Sequence, residues 1–130
     1  MERRITLISI PRPQREINME LQWLGNALGL FNMRDKDKTC FRIFITLYRG
    51  TKSGHPFSSD ELADHLAMSR GTVMHHVNKL MKSGIVIRNG ARYVLRVEDL
   101  TTLVDEIKRD VDRMFVQMMD VAEDIEKQIR

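Results

Sequence analysis

The chain has 130 residues, of which 42% are hydrophobic and 30% are charged, and its formal net charge is +3. This length accommodates one compact domain with an extension, and the hydrophobic content supports a modest core. The charge is unevenly placed, because residues 65–97 hold six Lys or Arg and no Asp or Glu, whereas residues 98–130 hold five against ten. Only the middle segment is therefore suited to binding a polyanion.

Several classes of protein are disfavoured by motifs that the sequence lacks. The single cysteine, Cys40, excludes an internal disulfide framework and favours a reducing, cytoplasmic location. The apolar run at residues 5–10 is too short to span a membrane. The sequence has no glycine-rich phosphate loop, nucleophile elbow or His-Glu metal motif, and nothing pairs Cys40 with a base. We therefore expect no enzymatic activity, no cofactor, no bound metal and no membrane association.

The N-terminal segment, residues 1–34, predicts an arm followed by one helix that begins at Pro13. Proline suits the first position of a helix, and the apolar residues that follow recur at spacings of four and three, as on one helical face. We predict that this face contributes to a dimer interface. Its residues are Ile17, Leu21, Leu24, Leu28 and Phe31.

Residues 35–97 are predicted to form a separate domain that begins with a second helix. This helix should run from about Asp37 to Arg49 and bury one apolar side. A polar loop at residues 50–56 then leads to Phe57, which is predicted to begin a short strand. The residues predicted to be buried in the helix are Cys40, Ile43, Phe44, Leu47 and Tyr48.

Two short helices joined by a tight turn follow. Ser58 and Glu61 form a capping-box pattern, which predicts a helix that opens there and runs through Leu66. After the turn at residues 67–69, Ser69 is the expected N-cap of a second helix that reaches Ser83. Val73, Val77 and Leu80 recur on its inner face, and Gly84 suits its C-terminal end.

A basic hairpin is predicted after this helix. The β-rich runs at residues 85–87 and 93–95 flank Asn89-Gly90, which is the strongest two-residue signal for a hairpin turn. Arg88 and Arg92 stand on either side of that turn. The order of elements is therefore helix, turn, helix and basic β-hairpin.

Residues 58–96 resemble the winged helix-turn-helix of the ArsR and MarR groups of prokaryotic transcriptional regulators. The resemblance rests on Asp60-Glu-Leu-Ala-Asp-His-Leu-Ala-Met-Ser-Arg-Gly-Thr-Val73, on Val77-Asn-Lys-Leu-Met-Lys-Ser-Gly-Ile-Val86 and on the hairpin. It implies a mainly α fold with a small β-wing, and double-stranded DNA as the partner.

Together with the basic composition, the resemblance predicts how the domain contacts DNA. Helix 69–83 should enter the major groove, while the wing at residues 85–96 should reach the backbone or the minor groove. For Met74, packing inside the domain is an alternative to base contact, and for His75 solvent exposure is one. The predicted DNA-binding residues are Ser69, Arg70, Gly71, Thr72, Met74, His75, Asn78, Lys79, Lys82, Arg88, Asn89 and Arg92.

The C-terminal segment, residues 98–130, predicts one long helix with a heptad pattern. Apolar residues occupy nearly all the a and d positions, and no Gly or Pro interrupts the segment. Apolar or small residues at e and g positions make the stripe wider than a simple zipper seam, so we predict that it forms a dimer together with the N-terminal helix. The predicted interface residues of this helix are Leu100, Val104, Ile107, Val111, Met114, Met118, Val121 and Ile125.

These patterns predict a dimeric, sequence-specific DNA-binding regulator, acting as a repressor on an inverted-repeat operator. The alternative is a winged-helix adaptor that docks other proteins of transcription or chromosome machinery. Trp23 and the methionines of the last helix also suggest a hydrophobic effector, although methionine at helical spacing is more often interface filling.

Overall fold

The computed structural model describes residues 6–30 and 38–129, in which five helices and three short strands occur. Two compact units are distinguished, one reaching to Glu98 and the other beginning at Asp99. The elements in chain order are α1 (Ile17–Ala27), α2 (Thr39–Ser53), β1 (Phe57–Ser58), α3 (Ser59–Leu66), α4 (Arg70–Lys82), β2 (Val86–Asn89), β3 (Arg92–Leu95) and α5 (Leu100–Ile129).

Helix α1 begins four residues later than the sequence predicts. Glu16 is its N-cap, and the carboxylate accepts hydrogen bonds from the backbone N–H groups of Asn18 at 3.1 Å and Met19 at 3.0 Å. The prediction that the helix begins at Pro13 is therefore wrong, because a capping carboxylate, and not the proline, sets its start. Phe31, the last residue of the predicted stripe, lies outside the described residues, as does Asp37, the predicted start of the second helix.

Helix α2 is four residues longer at its C-terminal end than predicted. Gly50 does not end it, because this glycine serves a close contact: a Cβ there would stand 2.7 Å from the His55 carbonyl oxygen and 2.9 Å from the Phe57 ring. The helix ends instead at Gly54, whose φ of 76° is the left-handed conformation that favours glycine.

The helix-turn-helix forms as predicted. The Ser58 side chain accepts from the Glu61 N–H, and the Glu61 carboxylate accepts from the Ser58 N–H, which completes the capping box of α3. Ala67 turns the chain with a φ of 53°, and the Ser69 side chain then caps α4 by accepting from the Thr72 N–H at 3.1 Å. The two N-caps fix where each helix begins, and the left-handed Ala67 ends α3.

The strands form a three-stranded antiparallel sheet in the order β1-β3-β2. Phe57 pairs with Tyr93, which confirms the prediction that a strand begins at Phe57. The hairpin register pairs Asn89 with Arg92, so the two-residue loop is Gly90-Ala91, and the predicted loop Asn89-Gly90 is wrong by one residue. Only Gly90 of this pair has a positive φ, at 65°, as in a type II′ turn with glycine first.

The core of the first unit lies between α2, α3, α4 and the sheet. Its central side chains are fully buried, and α4 contributes the three residues whose spacing predicted an inner face. The mainly helical fold with its small antiparallel sheet and long C-terminal helix is compatible with a winged helix-turn-helix. The side chains of this unit with no exposed surface are Ile43, Phe44, Leu47, Leu62, Val73, Val77 and Leu80.

The second unit is dominated by α5, whose 30 residues extend about 45 Å at 1.5 Å per residue. Leu103, Ile107 and Asp110 are buried near its start, and Arg113 pairs with the Asp110 carboxylate. From Asp112 to Ile129 every side chain is exposed. The C-terminal half of the helix therefore carries its apolar residues on open surface.

Candidate nucleic-acid interface

Helix α4 divides into a buried face and an exposed face. Val73, Val77 and Leu80 fill the core, while the residues between them point outward. The predicted DNA-contacting residues Arg70, Gly71, Thr72, His75, Asn78 and Lys82 are exposed, and Met74 and Lys79 are half-buried. One side of α4 thus brings together the polar and basic residues that the sequence singles out.

The N-terminal turn of α4 is ordered by its cap. The Ser69 hydroxyl donates to the Thr72 Oγ1 at 2.8 Å, in addition to accepting from the Thr72 N–H. Arg70 places its Nε 3.6 Å from an Asp60 carboxylate oxygen, and both side chains are mostly exposed. Next to it, a Cβ on Gly71 would meet no atom of the described residues within 4 Å. The backbone at Gly71 is therefore open to the outside.

Met74 lies on the edge between the two faces of α4. The Tyr93 hydroxyl, on strand β3, contacts the Met74 sulfur at 3.7 Å, and the methionine is half-buried. This contact joins α4 to strand β3 of the wing. It favours the packing alternative for Met74 over direct base contact.

The wing presents a short row of exposed residues at its tip. The Arg88 Nε donates to the Gly90 carbonyl oxygen at 2.7 Å, which folds this side chain back over the turn. Asn89 and Arg92 are paired strand residues, and both are exposed. Arg92 is held more firmly, since its Nη1 donates to the Pro56 carbonyl oxygen at 2.9 Å and forms an ion pair with Glu61.

Glu61 links the helix-turn-helix to the wing. The hydrogen bond from the Ser58 side chain, aided by the Ser58 N–H and by the positive charge of Arg92, lowers the pKa of the Glu61 carboxyl below its ordinary value. The carboxylate is therefore ionised in its capping role, where it also accepts from the Arg92 guanidinium. Glu61 therefore stabilises both the N-terminus of α3 and the position of β3.

Sequence reasoning missed two carboxylates, both among the described residues, that reach the basic segment. The segment itself contains no acidic residue, yet Asp60 approaches Arg70 and Glu61 pairs with Arg92. Both acidic residues belong to the first turn of α3, which lies next to α4 and to β3 in the fold. Their proximity depends on tertiary packing, so the linear charge pattern could not reveal it.

The predicted dimerisation residues differ widely in exposure. On α1, Ile17 is 70% exposed, Leu21 and Leu24 are half-buried, and Leu28 is buried. Leu28 and Ile107 are 9% and 4% exposed within the single chain, too little surface to form a dimer seam, so we leave them out of the dimer interface. On α5, Leu100 and Val111 are half-buried, whereas the exposed members are Val104, Met114, Met118, Val121 and Ile125.

Trp23 is anchored within the first unit. Its indole Nε1 donates to the Pro11 carbonyl oxygen at 2.7 Å, and the residue is half-buried. This bond gives Trp23 a structural role in holding the N-terminal segment. A hydrophobic effector at this residue stays a prediction.

Within residues 6–30 and 38–129, no group of three or more His, Cys, Asp or Glu side chains is placed to hold a metal ion. In the same part of the chain, no helix is both long and apolar enough to cross a membrane.

Comparison with known proteins identifies the domain. Residues 37–88 match a family model described as a helix-turn-helix domain, and this range covers α2, β1, α3, α4 and most of β2. A search of curated proteins and a search of solved structures each found no match. The matched range includes both capped helices and the turn between them. The chain therefore contains a helix-turn-helix domain of the kind that binds DNA.

Proposed function

We propose that this protein is a dimeric, sequence-specific regulator of transcription of the ArsR/MarR type, which represses by occupying an inverted-repeat operator in double-stranded DNA. The observation that carries the proposal is the exposed side of α4, which offers Arg70, Lys79 and Lys82 and no carboxylate of its own. Cations that neutralise phosphates supply much of the affinity of proteins for DNA. The family match supports DNA as the partner.

In this proposal the exposed side of α4 from Arg70 to Asn78 reads bases. Arg70 leaves its exposed pair with Asp60 when DNA binds, since such a surface pair contributes at most about 1 kcal/mol. A bidentate contact from arginine to guanine is worth about 1–3 kcal/mol, so the exchange favours DNA. His75 and Asn78 follow on the same exposed side and complete the base-facing set.

Phosphate contacts are assigned to Lys79, Lys82 and Arg88, with Ser69, Thr72 and Asn89 beside them. Arg88 can turn outward because the acceptor that it has among the described residues is a carbonyl of the exposed turn. Arg92 is given a different role: two acceptors hold it against β1 and α3, so it positions the wing and does not reach DNA. Met74 likewise supports the wing through Tyr93.

The dimer is assigned to the exposed apolar residues of α5. Met114, Met118, Val121 and Ile125 lie at successive d and a positions and are each about half exposed, at 42–56%. A continuous apolar surface of this kind normally marks an interaction site. Two-fold symmetry then calls for half-sites about 34 Å apart on one face of the DNA, or about 10 bp.

The proposal is tested by selecting bound duplexes from a random pool with the full-length protein. We expect a palindromic consensus whose half-sites are centred about 10 bp apart. An Arg70→Ala variant should lose sequence preference at one position of each half-site while still binding the consensus. Recovery of a single, non-repeated site would contradict the dimer, and recovery of no consensus would contradict sequence-specific recognition.

The second candidate is a winged-helix adaptor that docks other proteins. The exposed apolar half of α5 favours it, because a different protein could cover this surface as well as a second copy could. The two functions differ in their response to DNA. An adaptor should show no salt-sensitive binding to duplex DNA, whereas the regulator should show it.

We expect Gly71→Ala to keep or raise the thermal stability of the protein and to weaken its binding to DNA. Glycine is less favourable than alanine in a helix by up to about 1 kcal/mol, and the open space at Gly71 accepts a methyl group. The variant should therefore melt at the same or a higher temperature. Its affinity for the selected operator should nevertheless fall about tenfold, or about 1.4 kcal/mol, because the DNA approaches this backbone closely.

Thr101→Ala on α5 is the matched control, since it also replaces an exposed helical residue by alanine. It should leave operator affinity unchanged. Thermal melting and fluorescence anisotropy with labelled operator measure the two effects. Unchanged operator affinity in Gly71→Ala would show that DNA does not approach the first turn of α4.

A further inference from the structure

A cavity of about 510 Å³ lies beside the second half of α4. One wall consists of the α4 residues and Ser83, and the other wall comes from the N-terminal part of the same unit. This volume is within the range of about 300–1,000 Å³ that is typical of small-molecule sites. The described residues that line it are Thr6, Leu28, Gly29, His75, Asn78, Lys79, Lys82 and Ser83.

The N-terminal wall is built on specific contacts. Gly29 adopts a φ of 70°, and a Cβ there would stand 2.4 Å from the Thr6 carbonyl oxygen, so the crossing of these two segments requires glycine. The Ile8 N–H donates to the Ala27 carbonyl oxygen at 2.9 Å. Leu30 is 1% exposed, and its carbonyl oxygen accepts from the Cys40 sulfur at 3.4 Å, which anchors the wall to α2.

The chemistry of the lining selects an anion that carries an apolar group. The described lining residues include two lysines, a histidine and an asparagine, but no carboxylate. Within the described part of the chain, neither Lys79 nor Lys82 has an ion-pair partner. Leu28 adds a small apolar surface to the same lining. A carboxylate or sulfonate could therefore pair with the ammonium groups while its apolar part packs on the leucine.

We propose that this cavity binds a small organic anion with an apolar group, and that the bound anion excludes DNA directly. The second part rests on the proposed function, in which His75, Asn78, Lys79 and Lys82 face the DNA. The same side chains cannot contact a ligand and the duplex together, so the two compete. Regulation by this route needs no change in the spacing of the recognition helices.

The probe for the test is 8-anilinonaphthalene-1-sulfonate, an aromatic sulfonate. It is titrated into the 15N-labelled full-length protein, and backbone amide shifts are followed. We expect saturable shifts at Gly29, Asn78, Lys79 and Ser83. The combined variant Lys79→Gln and Lys82→Gln should weaken probe binding at these amides about tenfold or more, because charge-assisted contacts are lost.

Lys108→Gln is the control, since it removes one exposed lysine from α5 and should leave the probe affinity unchanged. Shifts confined to the exposed apolar residues of α5 would overturn the site. Equal probe affinity in the wild-type protein and in the double lysine variant would overturn it as well.

Competition is measured separately with labelled operator. Bound probe should lower the apparent DNA affinity in proportion to its occupancy of the cavity. A ternary complex of protein, probe and operator would overturn the exclusion of DNA and leave the ligand site intact. A protein that binds the probe at the cavity amides but binds no DNA at all would refute the proposed function and not the site.

Discussion

Raising the salt concentration from about 50 mM to about 200 mM is expected to weaken operator binding about a thousandfold or more. Each protomer offers Lys79, Lys82 and Arg88 to phosphates, and a dimer offers twice that number. Binding of each cation releases condensed counterions, so the logarithm of the affinity should fall with the logarithm of salt concentration with a slope of about −5. Fluorescence anisotropy with labelled operator at several salt concentrations measures this slope.

Single substitutions assign the slope to particular side chains. Lys82→Gln removes one phosphate contact from each protomer, so the slope should become shallower by about 2 in a dimer. Lys108→Gln is again the control, because its ammonium group pairs with Asp112 on α5 at 3.5 Å. A slope near zero for the wild type, or an equal flattening by both variants, would remove the basis for phosphate contacts from α4.

The helix-turn-helix could be predicted in detail because its determinants are local. The Ser58–Glu61 capping box spans four residues, and the inner face of α4 follows from a simple repeat. The glycine at residue 50 shows where local rules fail. In the sequence, Gly50 looks like a glycine that ends a helix. It is in fact required where α2 passes close to Phe57. Only the fold distinguishes a packing glycine from a capping one.

The hairpin shows the same limit on a smaller scale. Asn89-Gly90 suits a turn with two positive φ angles, but the β2–β3 register places Gly90 first in the loop. The shift of one residue puts Asn89 in a strand. Pairing across the sheet, which also involves Phe57 and Tyr93, decides this register and is not encoded in the turn alone.

The candidate site was only partly predictable for a related reason. The exposure of Arg70, His75 and Asn78 follows from the buried stripe of α4, so the sequence was sufficient for them. The restraint of Arg92 by Glu61 depends on β1 and β3 pairing, and the cavity depends on the N-terminal segment crossing at Gly29. Such features arise between distant segments and require the three-dimensional structure.

Replacing both Met118 and Ile125 by aspartate is expected to convert the dimer to monomers and to lower operator affinity at least a hundredfold. The two side chains are 51% and 48% exposed in the single chain, so the substitutions should not disturb its folding. In a two-fold interface they would place four carboxylates in the apolar seam, and burying unpaired like charges is strongly unfavourable. A monomer would engage only one half-site, and the loss of the second binding event lowers the overall affinity by roughly 10²–10⁴. Circular dichroism should show the helical content retained.

Val116→Asp is the control for added charge, because Val116 lies two residues from Met118 on the opposite side of the helix and is 70% exposed. It should remain dimeric and bind operator normally. Light scattering at micromolar concentration measures the mass of each protein. A monomeric wild type would contradict the proposed dimer. So would a double variant that stays dimeric, since a seam through Met118 and Ile125 could not tolerate four buried carboxylates.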